Sequence, residues 1–131
     1  MAHQHSAQFL KLVEDAKTRV REIGASGLLQ KLQQKGSFRL VDVREAEEFA
    51  AGRIPGAQNL CKGIIERDIE TAVPDANAEI VLYCGGGFRS ALAADNLQKM
   101  GYTRVYSLAG GWREWTAAGR PTEKPTKESS G

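Results

Sequence analysis

A chain of 131 residues has room for one domain with a real core, not for two comfortable ones. Its 41% hydrophobic and 26% charged residues are ordinary for a soluble globular protein, and no apolar stretch is long enough to span a membrane. A net charge of +2, with no basic stripe interleaved with aromatics, argues against nucleic acid as a partner, and two cysteines make no disulfide framework.

The N-terminus, Met1 to Ser6, is polar and lacks the apolar core of a secretion signal, so the cytoplasm is the expected location. His3 and His5 lie close together without further ligands and predict no metal site. Phe9, Val13, Ala16, Val20 and Ile23 recur at helical spacing and predict a helix over 6–23, capped by Ser6 and stopped by Gly24. A second helix is predicted over 26–36, with Gly36 as its left-handed stop. Residues 38–43 read as a buried strand and 45–51 as a helical turn or two before Gly52. Ile54-Pro55-Gly56-Ala57 is a turn, and 58–61 a short strand ending in Cys61. A helix over 64–73 and a loop at 74–77 lead to a strand over 80–83. A helix over 90–100, a strand over 104–108 and a last helix over 112–118 follow, the last two separated by Gly110-Gly111. These elements divide the chain into an N-terminal helical extension (1–25), a domain (26–121) and a flexible polar tail (122–131). Alternating strands and helices imply an α/β fold, a mostly parallel central sheet with helices on both faces. Such sheets bind ligands beyond the carboxyl ends of their strands.

Cys84 sits at such an end. It closes the apolar run Ile80-Val81-Leu82-Tyr83 and is followed by Gly85-Gly86-Gly87, then Phe88, Arg89, Ser90 and an amphipathic helix. Glycines let the backbone curl with its N–H groups pointing inward. The helix N-terminus and Arg89 add positive potential, and all three favour the thiolate, the nucleophilic form. Either feature alone is bland, a core cysteine or a tight turn. Their contiguity points to a reactive cysteine in an anion-binding cradle.

Three segments resemble the signatures of rhodanese domains, in the same order. They are Val41-Asp42-Val43-Arg44-Glu45 with Glu48-Phe49 and 52–57, the loop Cys84-Gly85-Gly86-Gly87-Phe88-Arg89-Ser90, and Leu108-Ala109-Gly110-Gly111-Trp112 with Trp115. The resemblance implies a rhodanese-like fold and a sulfurtransferase. Cys84 would take the outer sulfur of a donor such as thiosulfate as a persulfide and pass it to a thiol or cyanide, or to an accepting protein. The N–H groups of Gly85, Gly86, Gly87, Phe88 and Arg89 would hold the persulfide anion, with no metal or organic cofactor. Asp42, Arg44 and Ser90 would support the loop from outside, although Asp42 reads equally as a partner of a backbone N–H and Arg44 as paired along a helix with Glu48. Many members carry His where this chain has Arg53, in a turn rather than a catalytic motif. Trp112 and Trp115 read as packing residues, Cys61 as a structural thiol with sulfur relay as its alternative, and the protein as a monomer. Arg89 is then the main cation of the loop, and Phe88 offers an apolar surface suited to a low-molecular-weight persulfide or a protein partner.

Two rivals remain open at this level. A Cys-dependent phosphatase or arsenate reductase also places a cradle between Cys and Arg, but with one residue more than the four found between Cys84 and Arg89. A non-catalytic rhodanese-like regulatory module would not need Cys84, its glycines and Arg89 together.

Overall fold

The computed structural model describes residues 5–34 and 36–124. His3 and the end of the predicted tail lie outside them. In chain order the elements are α1 (Ala7–Lys17), β1 (Arg21–Ile23), α2 (Ala25–Gln34), β2 (Arg39–Asp42), α3 (Ala46–Ala51) and β3 (Gln58–Asn59), then α4 (Ile65–Ala72), β4 (Glu79–Tyr83), α5 (Phe88–Lys99), β5 (Arg104–Leu108) and α6 (Gly111–Ala117). All strand pairs are parallel, in the order β1-β5-β4-β2-β3. The expected fold class is therefore the observed one.

Side chains alternate along each strand, so the sheet carries a core on each face. Ile80, Leu82 and Cys84 point with Val41 and Val43 into a cluster closed by Ile65 and Ile69 of α4 and by Ala93, Ala94 and Leu97 of α5. Val81 and Tyr83 point the other way, with Leu40, Leu108, Leu28 of α2 and Trp115 of α6. Central strand β4 is buried on both faces, which is why it reads as one unbroken apolar run.

The predicted first helix is shorter than its stripe. It ends at Lys17, Thr18 caps it through bonds to Asp15 and Ala16 carbonyls, and Arg21–Ile23 becomes an edge strand paired with Tyr106 to Leu108 of β5. β-Branched Val20 and Ile23 suit either state, and the open edge of β5 offers the segment a ladder that a longer helix could not use. The tail also begins more ordered than expected. Glu123 forms an antiparallel bridge with Arg53, with backbone bonds of 3.0 and 2.8 Å. Arg53 adds a 3.3 Å ion pair to Glu123 and lies over the Phe49 ring at 4.4 Å. It thereby holds Glu123 against the turn after α3.

Helix α1 packs on α5, burying Val13 and Ala16. Beside this contact Arg19 donates twice to the Asp95 carboxylate at 2.9 Å, and Gln98 donates to the Arg19 carbonyl at 3.0 Å. The Arg19 bonds hold Asp95 below the usual carboxylate range, against the opposing effect of burial. A depressed folded pKa adds stability that is full above the unfolded value of about 3.9 and is lost as pH falls through the folded one. Asp95→Asn should therefore melt lower than the parent at pH 7, and the gap should narrow as pH falls below about 3.9 toward pH 3. Thermal melts followed by circular dichroism check this; an equal gap at both pH values would show that charge at Asp95 does not secure α1.

Candidate active site

The end of β4 feeds directly into the loop before α5. Cys84 is 1% exposed. Its Sγ accepts hydrogen bonds from the backbone N–H of Gly87 at 3.2 Å and of Ser90 at 3.3 Å. It also lies 3.5 Å from the Ser90 hydroxyl, which pairs at 2.8 Å with the hydroxyl of Ser107 from β5. Both serines are fully buried, so the sulfur rests on a closed polar floor.

The loop's orientation is set from the neighbouring chain turn. The Trp112 N–H donates to the Cys84 carbonyl at 2.8 Å and the Arg113 N–H to the Gly85 carbonyl at 2.9 Å. With these carbonyls drawn toward α6, the N–H groups further along are free to face the sulfur. Two glycines make the approach possible. Gly87 caps the start of α5 at φ +96°, and a Cβ there would stand 3.2 Å from the Gly110 nitrogen. At Gly111, φ is +54° and a Cβ would stand 2.4 Å from the Cys84 carbonyl oxygen. Gly111→Ala should therefore cost about 2 kcal/mol or more, because the left-handed backbone and the loop contact both disfavour a side chain. Gly85→Ala should stay within roughly 0.5 kcal/mol, since its Cβ would make only ordinary contacts. Urea denaturation of the two variants tests the contrast, and equal losses would show that Gly111 is not what lets α6 approach.

Beneath the loop, Asp42 and Arg44 form a buried ion pair. Arg44 donates to both Asp42 oxygens, at 2.7 Å from Nη2 to Oδ2, and to the Gly52 carbonyl at 2.6 Å. Burial alone would push the guanidinium pKa down, but the bonds and charge of Asp42 outweigh it and raise it. The guanidinium also lies over the Trp112 ring at 4.5 Å. The pairing of Arg44 along a helix with Glu48 does not occur. Glu48 instead caps α3 and meets Arg89 at 3.6 Å. Asp42 thus serves Arg44 and its backbone, and Arg44 ties the α3 stop to the helix that holds the loop.

A cavity of about 270 Å³ opens over Cys84. Of the five loop residues Gly85, Gly86, Phe88 and Arg89 line it and Gly87 does not, and Glu48, Arg113, Phe9 and His5 line it too. Arg89 is not the sole cation: Nη2 groups of Arg89 and Arg113 lie 3.4 and 3.9 Å from the point where a Cβ on Gly85 would stand. Arg113 escaped sequence reasoning because it sits inside a packing signature, and only the fold of Gly110-Gly111 turns it over the loop. Phe9 comes from α1 and His5 from just before it, far away in the chain. Cys61 is half-buried and does not line the cavity. Among the described residues, no three His, Cys, Asp or Glu side chains gather into a metal-binding group.

The profile of the rhodanese-like domain family matches residues 26–118. The chain belongs to this family. It is 36% identical over 106 residues to a sulfurtransferase of Allochromatium vinosum, covering 81% of this chain and 97% of that protein. It is 33% identical over 97 residues to the putative sulfur carrier protein YrkF of Bacillus subtilis, covering 74% of this chain and spanning about half (51%) of that longer relative. The fold is also similar to that of a solved Rhodopseudomonas palustris protein described as of unknown function and a possible tyrosine phosphatase. The two share 28% identity and a TM-score of 0.80, over 94% of this chain and 99% of that one.

Proposed function

We propose that this rhodanese-like protein moves sulfane sulfur through a persulfide on Cys84. One observation carries the reading: a buried thiol at a strand end accepts two converging backbone N–H bonds and faces an open cavity with two guanidiniums. In the first step the Cys84 thiolate attacks the outer sulfur of thiosulfate or of a small persulfide. The S–S bond to the donor breaks, and sulfite, or the donor's thiolate, departs with the bonding pair. The persulfide anion then lies among the loop N–H groups, which offset its charge as an oxyanion hole would. In the second step cyanide or an acceptor thiolate takes the outer sulfur and Cys84 regains its electron pair. Phe88, Arg89 and the three glycines bind the donor in this scheme, while Ser90, Asp42 and Arg44 hold the loop in place.

Loop length supports this reading over the phosphatase one. With four residues between Cys84 and Arg89, the ring is sized for a sulfur atom rather than for a tetrahedral phosphate. Intact-protein mass spectrometry after thiosulfate should show one added sulfur atom, removed by cyanide. An aryl phosphate offered to the same protein should remain intact. Robust phosphate release with no sulfur adduct would reverse the assignment.

A further inference from the structure

Below the sulfur, on the side away from the cavity, hydrogens outnumber the bonds they can make. Cys84 Sγ, Ser90 Oγ and Ser107 Oγ form a chain with steps of 3.5 and 2.8 Å. Both serines are fully buried, and neither hydroxyl has another side-chain partner among the described residues. In the thiol form the S–H donates to Ser90 and Ser90 donates to Ser107, so the Ser107 hydrogen finds no acceptor in the chain. In the thiolate form the order reverses. Ser107 donates to Ser90, Ser90 donates to the sulfur, and every hydrogen is used; the contact between the hydroxyls suits either direction. Burial gives this count its weight, because an unused hydroxyl there has no water to turn to. Ser107 also decides where Ser90 points. A serine in the first turn of a helix such as α5 readily turns to the carbonyl four residues back. The bond from β5 keeps it at the sulfur instead. Ser107 can reach it because it shares a face of β5 with Val105, which faces α5, and is in register with Leu82, two residues before Cys84.

We propose that Ser107 is a positioning residue: it holds the Ser90 hydroxyl against Cys84 and so favours the sulfur anion, both as nucleophile and as leaving group. The leaving-group role rests on the sulfurtransferase reading. When cyanide attacks the outer sulfur of the persulfide, a C–S bond forms and the S–S bond breaks. Thiocyanate departs and Sγ keeps the bonding pair as a thiolate. Each product carries one negative charge, as each reactant did. The two hydroxyls are aligned to donate toward Sγ as its charge appears. Other charges near the sulfur come from other elements. Arg89, Arg113, Glu48 and His5 line the cavity above it. Glu22, the register partner of Ser107 on β1, pairs with Lys17 at 3.5 Å. Asp42 on β2 and Asp95 on α5 are each committed to an arginine, and α4 turns Ile65 and Ile69 to this core. None of these groups bonds either hydroxyl, so changing Ser107 leaves them in place.

The test follows alkylation of Cys84 by iodoacetamide across pH, with peptides resolved by mass spectrometry so that Cys61 serves as an internal reference. Ser107→Ala should move the Cys84 midpoint up by about half a unit to one unit, since a bond to a charged acceptor is worth roughly tenfold. Ser90→Ala should move it by about as much. On the Ser90→Ala background, Ser107→Ala should add nothing, because it acts only through Ser90. Ser107→Thr keeps the hydroxyl and should bring the midpoint back toward the parent's, while the Cys61 profile stays in place throughout. Discharge of the Cys84 persulfide to cyanide at neutral pH should slow by about three- to tenfold in Ser107→Ala, because a more basic thiolate leaves more slowly. One reading needs no variant to fold: in the parent, the Ser90 and Ser107 Cβ resonances should both step at the Cys84 midpoint as the bond between them changes donor. A Ser107→Ala midpoint equal to the parent's, the same shift on both backgrounds, or a Ser107 resonance that stays still while Cys84 titrates overturns the proposal. The midpoint is read with no sulfur donor present. A failure of sulfur transfer itself would therefore show separately, as the absence of any adduct on Cys84 after thiosulfate.

Discussion

Cys84→Ser is expected to abolish sulfur transfer from every donor, with kcat/KM falling by roughly 10⁴-fold or more. A hydroxyl can occupy the same place and accept the same N–H groups of Gly87 and Ser90. It will not ionise there, because among the described residues the one side chain bonded to position 84 is the Ser90 hydroxyl, which is no base. The exchange is nearly isosteric, so the melting temperature should move by only a few degrees. Activity lost with the fold intact is the expected result, read by thiocyanate formation and by a thermal melt on the same preparation. Full turnover in the serine variant would end the persulfide reading.

Asp42→Asn is expected to carry the largest stability loss, about 3–5 kcal/mol, a substantial part of a small domain's total. The Arg44 guanidinium is only 3% exposed and is committed to Asp42, Gly52 and the Trp112 ring. An amide keeps the shape and removes the counter-charge, leaving a buried cation alone. Activity should fall with it, since Trp112 lies under that cation and its N–H holds the Cys84 carbonyl. Urea unfolding checks the loss, and Arg44→Met added to Asp42→Asn should restore part of it. A loss below about 1 kcal/mol would mean that the pair is not sealed from water.

Local chemistry was legible in the sequence wherever neighbours in the chain are neighbours in space. The loop from Cys84 to Ser90 is one continuous segment, so its glycines, thiol and helix start could be read together. Strand β4 announced itself by an unbroken apolar run because both of its faces are covered. What stayed hidden depends on distant partners. Arg113 reaches the loop through the left-handed turn at Gly110-Gly111, and Phe9 reaches it through the docking of α1. Asp42 and Arg44 pair because both are buried, with Arg44 stacked over Trp112, which helix spacing with Glu48 could not reveal. Val20 and Ile23 fitted a helical stripe by period alone, yet the open edge of β5 decided their region's state.

That edge has a practical meaning for where the protein can be cut. Similarity to the family starts at residue 26, after β1 has ended. A version trimmed to the similar region would lose the strand that covers Tyr106, Ser107 and Leu108, and with it the helix that walls the site. It would display a bare row of backbone donors and acceptors beside apolar Leu28 and Leu108, a template for pairing with other chains. The smallest unit that keeps both β1 on that edge and α1 beside the cavity thus begins ahead of α1, upstream of residue 26, where the match to the family profile starts.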